Sequence, residues 1–175
     1  PRIDVLNLGA WAAIANQQQL PLVIDNTFAT PYLCQPFAHG AHIVIHSATK
    51  FLGGHGTSIG GVIVDSGLYD WASSPFTGLT EPSAGYRGMR FAETFGNFAF
   101  VMKARVETMR DFGPVLSPLN AFLLLQGVET LSLRMRAHCH NARLVAAFLR
   151  SHDRIRWVNY PDQPDSEYAD NVGRY

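Results

Sequence analysis

No sign of charge dominates this sequence: 14 Lys and Arg stand against 14 Asp and Glu, a formal net charge of +0. Without a basic stripe or a charge block, a nucleic-acid groove or an anionic-membrane surface has no electrostatic support, so neither is expected as a partner. Long apolar runs are missing as well. The run Ala121 to Leu125 falls far short of the roughly 20 residues that a membrane-spanning helix needs. Cysteine is scarce: Cys34 and Cys139 form no CxxC, so neither a disulfide framework nor a thiolate metal site is implied, and a reducing cytoplasm is the expected compartment. Lysine is scarcer still for its usual abundance, with Lys50 and Lys103 alone. No basic-then-apolar targeting segment follows Pro1, and the chain reads as a fragment of a longer one. Apolar residues, by contrast, make up 47% of the 175, enough to bury one sizeable core and to exclude disorder as the main state.

Val5, Leu8, Ala12 and Ala15 recur at helical steps and predict a helix that stops before Pro21. Leu20 to Ile24 reads as a short buried strand ending at Asp25, and Asn26 to Pro36 as a loop with one helical turn. His42 to His46 and Gly60 to Val64, rich in β-branched residues, predict two more strands. Helix and strands separated by glycine-rich segments give an α/β fold, a mostly parallel sheet flanked by helices, with functional groups expected at the carboxyl ends of the strands. Ser66 to Met89, full of Gly, Pro, Ser and Thr, reads as a long loop of the lid or binding type. Phe91, Phe95, Phe98, Met102, Val106 and Met109 form a helical stripe ending near Gly113. A second helical pattern starts around Phe122 and continues with little interruption to Leu149. Ile155 to Tyr160 reads as a strand opening a second domain. The expected division is 1–132 as part of a large domain and 133–175 as a linking helix and the start of a C-terminal domain.

His46-Ser47-Ala48-Thr49-Lys50 sets two hydroxyls and an amine just past a predicted strand end, before the glycine-rich run 53–56. Hydroxyls and free backbone amides at such a place can hold phosphate oxygens, and a lysine held there can attack a carbonyl. Asp25 ends the preceding strand. If the two strands lie close together, carboxylate and amine bracket a flat heteroaromatic ring, the acid on a ring nitrogen and the amine on a ring aldehyde, as pyridoxal phosphate requires. Taken singly, Lys50 is also a surface lysine beside a sheet edge and Asp25 a loop-capping residue. The S-x-x-K pattern of serine β-lactamases is present in Ser47 to Lys50, but its companion S-D-N and K-T-G motifs do not occur. His42 and His46 share a strand face about 13 Å apart, and His138 and His140 point away from each other on a helix, so no metal is expected. Cys34 reads as a small packing residue.

The combined run, Val23-Ile24-Asp25-Asn26-Thr27-Phe28, Thr30-Pro31-Tyr32, His39-Gly40-Ala41 and His46 through Gly56, closely resembles the Cys/Met metabolism family of pyridoxal-phosphate enzymes. The segments 53–61 and 76–96 resemble its O-acetylhomoserine sulfhydrylase branch; Leu116 to Phe122 and Arg134 to His138 also fit the family. The resemblance implies an aspartate-aminotransferase-like (fold type I) domain, incomplete here, in which Lys50 carries the cofactor covalently, Asp25 pairs with the pyridine nitrogen, Ser47 and Thr49 bind the phosphate, and Thr27 packs on the ring face. It implies γ-replacement on O-acetyl-L-homoserine by sulfide or a thiol, giving homocysteine or methionine and acetate, in a homotetramer built as a dimer of dimers. Cystathionine γ-synthase, methionine γ-lyase and O-succinylhomoserine sulfhydrylase are alternatives within the family, and a non-catalytic assembly module is one outside it. The family's ring-stacking aromatic, a phosphate loop and the carboxylate-holding arginine have no counterpart in these 175 residues, and Gln35, Asn7 and Gly9 depart from the usual pattern.

Overall fold

A computed structural model describes residues 3–175; Pro1 and Arg2 lie outside the described residues. Helix α1, Leu8–Gln17, starts where the Asn7 side chain accepts the Ala10 amide at 3.1 Å, and buries Leu8 and Ala12. It ends ahead of Pro21, as the apolar spacing predicts. Strand β1, Val23–Asp25, leads into a loop carrying the single turn α2, Thr30–Leu33. Strands β2, Ile43–Ser47, and β3, Gly61–Asp65, complete a three-stranded sheet in the order β1-β2-β3.

The β1 and β2 strands run parallel in the register Val23↔Ile43 to Asp25↔Ile45, whereas β2 and β3 are antiparallel from Ile43↔Asp65 to Ser47↔Gly61. In a sheet expected to be mostly parallel, the second pairing is antiparallel, because β3 returns after a short excursion of the chain and not through a crossover helix. Central β2 is the buried strand: Ile43 and Val44, on opposite faces, are each 2% exposed.

One apolar cluster packs on it and a second packs just past its end. In the first, Ile43 meets Trp71, Leu79, Phe91, Ala92 and Ala99. Trp71 and Leu79 come from the segment 66–89, which forms the turn α3, Thr77–Thr80, and a 3-10 turn, Ala84–Tyr86. That segment is largely the long loop its composition predicts, but it packs as core wall and not as a lid, a binding segment or disorder. The stripe starting at Phe91 is helical to Phe112, but in pieces: α4, Phe91–Phe95; a 3-10 turn broken in at Gly96; α5, Ala99–Lys103; a wide π turn, Ala104–Met109; and α6, Arg110–Phe112. Phe91, fully buried, anchors it; truncating such a ring costs about 3–5 kcal/mol.

The second cluster joins Ala48 and Leu52, just past β2, to Leu124, Leu131 and Met135. These last belong to α7, Pro118–Glu129, and α8, Leu131–Ser151. Ser117 caps α7 by accepting the Asn120 amide at 3.1 Å, and Pro118 stands in its first turn, where a missing N–H costs nothing. The two helices are separated at Thr130, and α8 runs through position 132 without a break. Residues 155–160, expected as a strand, are irregular, since no strand among the described residues lies alongside to pair with them. A short helix α9, Ala169–Arg174, follows. It returns the C-terminal segment to α1, where the Leu8 amide donates to the Tyr175 hydroxyl at 2.7 Å.

Candidate active site

Parallel pairing of β1 and β2 brings Asp25 and Ser47 to one rim of the sheet, with neighbouring strands about 4.8 Å apart. The ladder extends beyond both strands. The Asn26 amide donates to the Ile45 carbonyl at 2.8 Å, and the Ser47 amide donates to Thr27 Oγ1, also at 2.8 Å. Thr27, 6% exposed, thus locks the two strand ends together with its hydroxyl. Its own amide donates to Asp25 Oδ1 at 3.0 Å, which orients the carboxylate while the residue stays exposed.

Past Ser47 the chain makes one wide turn over Ala48–Leu52, and Lys50 within it has φ −84° and ψ −125°, outside helical geometry. The Lys50 side chain is exposed. Among the described residues, neither its amine nor the Ser47 hydroxyl has a hydrogen-bond or ion-pair partner. Thr49 Oγ1 is held from one side: it accepts the Gly60 amide at 3.0 Å and lies 3.3 Å from the Gly60 carbonyl. Because a hydroxyl accepts and donates independently, the Gly60 amide can stay bound while the Thr49 proton turns to another acceptor.

Two further residues support the rim: Asn26, not singled out in the sequence, and His46, weighed there only as a metal ligand. Asn26, 5% exposed, donates to the carbonyls of Thr30 at 3.1 Å and Cys34 at 2.9 Å, closing the loop that follows Asp25. Its signal is an amide side chain at a strand end, a common way to pin a loop. His46 is 5% exposed; burial holds its pKa below the usual 6.5, against the opposing pull of the Asn26 backbone and the Asp25 carboxylate. Burial likewise pushes the Cys34 thiol up, in keeping with a packing role.

An exposed amine, an oriented carboxylate and two hydroxyls gathered at one strand rim suit a pyridine ring bearing an aldehyde and a phosphate. Lys50 would hold the aldehyde carbon, Asp25 the ring nitrogen, and Ser47 and Thr49 the phosphate oxygens. No group of three or more His, Cys, Asp or Glu among the described residues is placed to hold a metal ion.

The whole chain resembles known proteins. A curated O-acetyl-L-homoserine sulfhydrylase from Leptospira meyeri is 52% identical over 97% of this chain and 40% of its own length. A homocysteine/cysteine synthase from Kluyveromyces lactis is 46% identical over 100% of the chain and 40% of its own. The chain thus spans about 40% of the length of the curated relatives it matches. A crystal structure from Campylobacter jejuni, of an O-acetylhomoserine (thiol)-lyase carrying a pyridoxyl-lysine phosphate, superposes with a TM-score of 0.94 at 34% identity, covering 100% of this chain and 44% of that one. The fold is therefore that of the PLP fold-type I enzymes. Residues 1–175 match the family described as Cys/Met metabolism PLP-dependent enzyme, and on that match, with the relatives beside it, the chain belongs to this pyridoxal-phosphate-dependent family.

Proposed function

We propose that these residues form the cofactor-anchoring part of an enzyme that replaces the γ-acetoxy group of O-acetyl-L-homoserine with sulfide or a thiol, yielding homocysteine or methionine and acetate. The observation that carries this reading is the exposed Lys50, without a hydrogen-bond or ion-pair partner among the described residues, in the turn just past the strand rim that Asp25 and Ser47 share. When bound, pyridoxal phosphate supplies an electron sink for a carbanion at the substrate Cα. Lys50 would hold the cofactor aldehyde and, as a free amine, would take the α proton and return it at the end. Asp25, oriented by the Thr27 amide, keeps the ring nitrogen protonated. Ser47 and Thr49 fix the phosphate, so the ring cannot slide along the rim while the proton moves. Names of the relatives from L. meyeri and C. jejuni favour O-acetylhomoserine as the substrate over the other acyl esters.

Residues 1–132 are assigned to the cofactor-binding domain and 133–175 to the linking helix and the start of the next. A cytoplasmic homo-oligomer, a dimer of dimers, fits a chain in which Phe28, Ile59 and Trp157 are 76%, 85% and 76% exposed. No helix among the described residues is long and apolar enough to cross a membrane.

Borohydride reduction of the full-length protein with pyridoxal phosphate, followed by peptide mapping, is expected to place the pyridoxyl mass on Lys50. A label on Lys103 alone refutes the assignment. Homocysteine formation from O-acetylhomoserine and sulfide separates this reaction from those of related lyases. Asp25→Ala is expected to leave the fold intact while removing most α-proton exchange.

A further inference from the structure

A single wide turn leaves its last carbonyls without partners in its own backbone, and the turn bearing Lys50 is followed by Gly53 and then Gly54, whose φ of +75° takes the chain away. Those carbonyls are met from α8. Arg134 donates through Nη1 to the Phe51 carbonyl at 2.8 Å and through Nη2 to the Leu52 carbonyl at 3.3 Å. The same Nη2 reaches the Gly127 carbonyl in α7 at 2.6 Å, and Nε donates to Thr130 Oγ1 at 3.1 Å. Four bonds thus leave a group that has five N–H donors, and they tie the lysine turn to the junction of two helices.

Local rules disfavour a cation there, since Arg134 sits in the first turn of α8, at the positive end of its dipole. What compensates is the pair of carbonyl-rich ends it faces, of α7 and of the lysine turn. The space around this junction is also tight. A Cβ on Gly54 would lie 2.5 Å from Arg134 Nη1, and one on Gly127 would lie 2.1 Å from the Gly53 carbonyl oxygen.

The geometry points to Arg134 as a positioning residue for Lys50: by holding the two carbonyls that follow the lysine, it fixes the backbone from which the amine reaches the substrate Cα. This rests on the reading of Lys50 as the cofactor-bearing base. Arg134 touches neither cofactor nor substrate. It acts through the peptide units of Phe51 and Leu52.

The test uses the full-length protein with Arg134→Gln, Arg134→Lys and, approaching from the other side, Gly54→Ala. Without cofactor, hydrogen exchange is read at the Gly53 and Gly54 amides, which donate to the Ala48 and Lys50 carbonyls at 2.9 and 2.8 Å. Arg134→Gln and Gly54→Ala are expected to speed exchange there at least about tenfold, beyond any change in the amides of α8. With cofactor and O-acetylhomoserine, kcat for α-proton exchange is expected to fall about a hundredfold, the scale of a 1 Å misplacement, with KM within about twofold. Arg134→Lys is expected to recover little, because a three-donor ammonium lacks the planar fork and the Nε donor that together reach four acceptors. Unchanged exchange at Gly53 and Gly54 in both variants overturns the latch. Accelerated exchange with wild-type kcat overturns the positioning role. If wild-type Lys50 takes no pyridoxyl label, the functional reading fails while the cofactor-free measurement still decides the latch.

Discussion

Replacing Gly127 by Ala sets two effects of opposite sign against each other. Gly127 lies inside α7, where Ala is the better helix former by about 0.8–1.0 kcal/mol, so propensity alone predicts a more stable protein. The added Cβ, however, would stand 2.1 Å from the Gly53 carbonyl oxygen, 2.7 Å from its carbon and 2.8 Å from its Cα. All three atoms are backbone, so no rotamer change relieves the contact. To restore ordinary van der Waals separation of about 3.5 Å, α7 must retreat by more than 1 Å from the lysine turn, or the turn must yield. Either movement stretches the Arg134 bonds to Phe51, Leu52 and Gly127. Overpacking typically costs about 1–3 kcal/mol, and each strained hydrogen bond adds about 0.5–1.5 kcal/mol. The steric side wins, and a net loss of about 2 kcal/mol or more is expected. Equilibrium urea denaturation of the cofactor-free protein measures it, cofactor being left out because it would bind the folded state alone and mask the difference. A midpoint equal to or above wild type refutes the close approach of α7 to Gly53.

Thr27→Val is expected to cost about 1–3 kcal/mol, because the Ser47 amide loses its acceptor at 2.8 Å; Thr27→Ser should restore most of it, and equal urea midpoints for wild type and Val count against the lock. Stability should also fall on acidification. His42, its Nδ1 accepting the Leu22 amide at 3.0 Å, and His46 are both held by burial below their usual 6.5. The unfolded chain therefore binds protons first, so stability is full above about pH 6.5 and declines as the pH drops below it toward the lowered folded values. Urea midpoints measured on either side of that pH check this, and a midpoint that rises on acidification refutes it.

The β-branched runs around Ile24, Val44 and Val62 made the strands legible, because period and composition act locally. With the strands came the rim, and so the neighbourhood of Asp25 and Lys50. What stayed hidden depends on partners distant in sequence. Residues 155–160 carry strand composition with no strand beside them. Segment 66–89 has loop composition, yet Trp71 and Leu79 gain a place in the core from Phe91 and Ile43. Thr27 has the side chain expected near a cofactor, and only the register with Ser47 discloses that its hydroxyl ties two strands. Arg134 fits the family's sequence pattern, but the carbonyls it holds belong to Phe51 and Leu52, and the one local sign of its task is a cation placed against a helix dipole.

The span between Arg134 and the lysine turn also sets a clock on the birth of the enzyme. Phe51 and Arg134 are 83 residues apart, and a ribosome adds about 5–20 residues per second, so the turn emerges roughly 4 to 17 seconds before its clamp exists. Throughout that interval the backbone just past Lys50 is not yet held by Arg134. On the reading of Lys50 as the cofactor-bearing lysine, productive capture of pyridoxal phosphate then waits until α7 and α8 have left the ribosome and closed over the turn.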